Sequence, residues 1–132
     1  MADRSPPSEP SGADAAEAAK LRLRADLRLA MRARDALETA ALRAVIAALD
    51  NAQAVPAGDA HQTYVERPFG DASAEVPRLI LGTKAVEALL EAEAADRLEA
   101  ADQCERLARP ERATQLRAEA AIVARYLADP KG

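Results

Sequence analysis

The sequence predicts an all-α fold: four helices in two antiparallel hairpins, joined by a long loop. Three observations carry this prediction. Alanine supplies 35 of the 132 residues, and with leucine, arginine and glutamate it makes the composition of closely packed helices, because small side chains let backbones approach. Only Tyr64, Phe69 and Tyr126 are aromatic, too few for an all-β core. Apolar residues recur three and four apart along four separate stretches, the spacing of one helix face. A chain of 132 residues builds one domain.

Residues 1-13 carry three prolines, three serines and a glycine. They read as a disordered tail that buries too little to offset ordering entropy. No apolar segment follows the N-terminal charges, so no secretory signal is expected. The domain is expected over 14-128. Asp14 and Glu17 have capping-box spacing and open a first helix over 14-34. Its seam is Leu23, Leu27, Ala30 and Met31. Asp35 and Glu38 repeat the spacing and open a second helix over 36-54, with Leu42, Val45 and Leu49 inward. The helix stops at Val55-Pro56, because a residue before proline avoids the helical region.

Residues 55-82 hold Pro56, Gly58, Pro68, Gly70, Pro77 and Gly82, which is loop chemistry. Tyr64 and Phe69 are expected to pack back onto the bundle; a binding loop is the alternative. Thr83 is expected to cap a third helix over 84-108, with Val86, Leu89, Leu90, Ala94, Leu98, Ala101 and Leu107 on its core side. Pro110 suits the first turn of a fourth helix over 110-127, with Ala113, Leu116, Ala120, Val123 and Leu127 as its seam.

The residues do not spell a catalytic constellation, and neither cofactor nor metal is expected. The single histidine, His61, and the single cysteine, Cys104, do not make the three or four ligands of a zinc site. One cysteine also excludes a disulfide scaffold. Glu87 and Glu91 lie four apart and could act as acid and base; a solvated helix face explains them as well. Arg97 is placed to pair with Glu93, and Arg106 with Asp102. No apolar run approaches the ~18 residues of a membrane span, and a cytoplasmic protein is expected.

Charge is uneven. Between Lys20 and Arg43 there are seven basic and three acidic residues, although the whole chain carries −4. Lys20, Arg24, Arg28 and Arg32 lie four apart and form a ridge beside the first seam. A forked guanidinium suits phosphate, so the ridge is a candidate phosphate-binding surface. Two other readings stand beside it: stems covering apolar surface while their heads stay wet, and attraction to the acidic third helix, within the fold or across a dimer.

The stretch from Leu27 to Asp35, with Ala30, Met31, Arg34 and Asp35, resembles the "AMKARD" signature of the GatB/YqeY family. Ala41-Leu42-Arg43 and Asp50-Asn51-Ala52-Gln53-Ala54 are similar to its second-helix pattern. Glu105-Arg106-Leu107 and the run through Leu116, Glu119, Tyr126 and Leu127 resemble its "LraEa…YLP" segment. The resemblance spans about residues 20-127. It implies a small all-helical protein related to the tail of a tRNA amidotransferase subunit, where the tail helps to hold tRNA and catalysis lies elsewhere. Ala128 replaces the family's usual proline, and the family's C-terminal three-helix part is expected to be missing.

The signature residues have structural roles available. Ala30 lets two helices turn closely and Met31 fills a gap. Arg34 bonds the last carbonyls of the first helix, and Asp35 caps the second. Tyr126 anchors the last helix with its hydroxyl at the wet edge. The expected function is a non-catalytic helical adaptor whose partner is another protein or a second copy of the chain. An accessory tRNA-binding module is the alternative.

Overall fold

A computed structural model describes residues 14-54 and 78-128. The expected tail and most of the expected loop, with His61, Tyr64 and Phe69, lie outside the described residues. Among the described residues there are four helices: α1 (Ala15–Arg32), α2 (Ala36–Gln53), α3 (Thr83–Arg106) and α4 (Pro110–Ala128). The pairs that join α1 to α2 run in opposite order, from Lys20 with Asp50 to Met31 with Arg43, so the hairpin is antiparallel. Arg97 with Glu119 and Arg117 with Asp102 show the same for α3 and α4.

Leu23, Leu42, Val45, Leu49 and Val123 are fully buried where the two hairpins meet. α3 has 24 residues, about 36 Å at 1.5 Å per residue, and outruns α1 and α2. Beyond the main core α3 and α4 pack on each other around Ala101, Ala113 and Leu116, with Cys104 half-buried beside them. Leu98 and Leu107, expected inside, are exposed: the helical period continues where no third helix among the described residues covers it.

The helix ends separate caps that form from caps that do not. The Asp35 carboxylate accepts from the Glu38 N–H at 3.0 Å and caps α2 as expected. Asp14 makes no side-chain cap, because the Leu81 carbonyl accepts the Ala15 and Ala16 N–H groups. Gly82, and not Thr83, is the N-cap of α3. Arg34 closes α1 through its backbone and not its guanidinium. Its φ of 58° is left-handed, its N–H reaches the Met31 carbonyl, and the Asp35 N–H reaches that of Ala30. Ala108 makes the matching turn between α3 and α4 at φ 61°. The ends of the expected loop meet: Ala54 and Arg78 form an antiparallel bridge, and the Leu79 N–H donates to the Gln53 carbonyl at 2.7 Å.

Candidate interaction surface

The basic ridge divides in two. Lys20 is wholly buried, so it is not part of the exposed surface assigned to it from sequence. Its stem lies on the seam that carries Leu23, and its ammonium donates to Asp50 at 2.6 Å and pairs with Glu17 at 3.0 Å. A buried ammonium requires such partners. Glu17 also accepts from Gln53 and Arg78 at the base of the hairpin. The bond from Lys20, then that from Gln53, holds the Glu17 carboxyl below the usual carboxylate range.

Arg24, Arg28 and Arg32 are exposed, and none has a carboxylate partner among the described residues. Beside them runs a second line four residues apart: Leu21, Ala25 and Leu29. Leu21 is 69% exposed and Leu29 59%. The outward face of α1 thus presents two leucines alongside three guanidinium groups that have no carboxylate partner among the described residues. Met31 does not fill a core gap as expected. It is half-exposed at the end of α1, where its sulfur accepts from Arg43. Asn51 is exposed on α2.

The other signature residues hold the scaffold. Ala30 is buried where α1 turns. Leu116 is in the small α3–α4 core, and Leu127 packs on the main core. Glu119 accepts from Arg97, which also pairs with Glu93 at 2.9 Å. Asp102, expected to pair with Arg106, is taken by Arg117 from α4.

Tyr126 is half-buried at the end of α4 and lines an open cleft. Its hydroxyl donates to the Asp26 carboxylate, and the Arg22 guanidinium stacks 4.8 Å from its ring centre. Burial, then the bond to Asp26, pushes its phenol well above its ordinary value. Next to it, Arg125 donates to Glu38 at 2.7 Å and ties α4 to α2. A cleft of about 410 Å³ opens over Arg22, Asp26, Leu29, Glu38 and Tyr126. Its charged groups are largely engaged with one another, and it shares Leu29 with the outward face of α1.

Glu87 and Glu91 are exposed on α3, and neither has a cation partner among the described residues. No group of three or more His, Cys, Asp or Glu among the described residues is placed to hold a metal ion. No helix among them is long and apolar enough to cross a membrane. No family model, curated protein or solved structure matches the chain.

Proposed function

We propose that this chain is a non-catalytic helical interaction module that docks an acidic partner on the outward face of α1. One observation carries the reading: exposed Leu21 and Leu29 lie beside Arg24, Arg28 and Arg32, which have no carboxylate partner among the described residues. Apolar residues in a line supply area, and unpaired arginines supply steering and register. The remainder of the fold serves to present this face. Lys20 ties α1 to α2, and Tyr126 ties α1 to α4. The test is recovery of a partner from lysate with the wild-type chain and with Leu21→Glu/Leu29→Glu. The module reading expects a partner that only the wild type retains. Equal recovery by both would remove α1 from the account.

The same arginines support a second reading, an accessory tRNA-binding module in the sense implied by the resemblance to the GatB/YqeY family. Titrating labelled tRNA at several salt concentrations tests it. Saturable binding that falls steeply with salt, with a shallower slope for Arg28→Glu/Arg32→Glu, is the expected result. Salt-insensitive or absent binding would contradict it.

A further inference from the structure

We infer that the acidic partner of α1 is α3 of a second copy of this chain, in a two-fold dimer with two equivalent α1–α3 contacts. This rests on the docking face proposed above and names its occupant. α3 carries seven carboxylates against three cations. Glu87, Glu91, Asp96 and Glu99 are exposed and have no cation partner among the described residues. Among the described residues the fold therefore leaves unpaired cations on one hairpin and unpaired anions on the other.

The two surfaces also match in relief. On α1 the leucine line Leu21–Ala25–Leu29 lies three residues before the arginine line Arg24–Arg28–Arg32. On α3 the alanines Ala88 and Ala92, flanked on their line by Lys84 and Asp96, lie three residues before the line Glu91–Ala95 that Glu87 and Glu99 extend, and these alanines are exposed. Each step along any of these lines rises about 6 Å. Both faces thus have an apolar line and a charged line on the same hand. Laid face to face in parallel, such surfaces would set leucine against glutamate. Turned antiparallel, they set the leucine line along the alanine line and the arginines along the glutamates, with Leu21 and Leu29, about 12 Å apart, flanking the two alanines, about 6 Å apart. Large residues to either side of small ones allow close ridge-into-groove packing. The inferred contact is therefore antiparallel, and a two-fold axis makes it twice. The net charge of −4 also favours an acidic helix of this protein over RNA as the occupant.

The experiment is sedimentation equilibrium of the full chain, of Arg28→Glu/Arg32→Glu, of Glu91→Arg/Glu99→Arg, and of the two variants mixed. Circular dichroism checks that each variant is helical. The expected wild type is a dimer whose affinity falls as salt rises. Each variant alone places like charges at both contacts, so its dissociation constant rises about tenfold or more. The mixture restores opposite charges at both contacts and recovers a heterodimer. A wild-type monomer throughout the micromolar range overturns the inference, as does a mixture that stays monomeric. A dimer that only the α1 variant breaks also overturns it, since α3 is then not the opposing face. If the wild type is monomeric while Leu21→Glu/Leu29→Glu still abolishes partner recovery, the docking face stands and only its occupant was misassigned. If tRNA binds to α1 of a monomer, the occupant is an RNA.

Discussion

The Tyr126 hydroxyl donates to the Asp26 carboxylate across 100 positions of sequence and fastens the end of α4 to the middle of α1. Arg22 lies over the same ring, so both faces of the contact are polar while the ring is half-buried. The face of α1 proposed for docking is held in place by this latch on one side and by Lys20 on the other. Tyr126→Phe keeps the packing and removes the bond, and is expected to cost about 1.5–3 kcal/mol in urea unfolding, the range for a hydrogen bond to a charged group.

The same residue gives an alkaline signature. The phenol of Tyr126 is raised in the fold, so the folded state favours its protonated form. Its contribution is complete below the ordinary tyrosine value, about 10, and is lost as pH rises through and beyond it. Unfolding followed between neutral pH and strong alkali is expected to show a steeper loss for the wild type than for Tyr126→Phe. Parallel curves would contradict the assignment.

At the other end of α1 the sign reverses. Glu17 is lowered, chiefly by its bond from Lys20, so the fold favours its charged form. That stability is present above the ordinary value of 4.5 and drains away as pH falls below it. Glu17→Gln is expected to flatten the acid limb of the stability curve. Lys20→Ala strips the buried stem and leaves two carboxylates facing each other. It is expected to cost about 2–4 kcal/mol, and Lys20→Met distinctly less, because it keeps the apolar stem.

Two leucines separate the true core from the repeating pattern. Leu42 is fully buried and Leu98 is about half-exposed. Leu42→Ala is expected to lose about 3 kcal/mol, and Leu98→Ala less than about 0.5 kcal/mol. Thermal denaturation of the two variants reads the difference.

Ala108 turns the chain between α3 and α4 at φ 61°. A Cβ in that region costs about 1 kcal/mol, so Ala108→Gly is expected to raise the melting temperature by a few degrees. No change, or a fall, would show that the lost backbone restriction of the unfolded chain outweighs the relief.

The four helices were legible because their signals are local. Asp35 caps three residues ahead, Pro110 starts a helix without an N–H to spare, and the seam of α2 repeats through Leu42, Val45 and Leu49. What the sequence hid depends on neighbours distant along the chain. Lys20 looked like the first of four exposed cations because nothing local announces Asp50 beneath it, although its place one turn from Leu23 was a hint. Leu98 and Leu107 follow the helical period faithfully, but α3 is longer than the helices that cover it. Asp14 has the right spacing for a cap, and the Leu81 carbonyl reached its helix end instead. That Arg24, Arg28 and Arg32 have no carboxylate partner among the described residues is equally hidden, since only the fold shows which carboxylates are already taken.

The central claim is that the outward face of α1 is an occupied surface in the cell. A photo-crosslinking residue placed at Leu29, with the same residue at exposed Asn51 on α2 as control, tests it most directly. The account predicts a discrete adduct from position 29, formed with a second copy of the chain and reduced by Arg28→Glu/Arg32→Glu, and none from position 51. Equal labelling from both positions, or none from position 29, would contradict it.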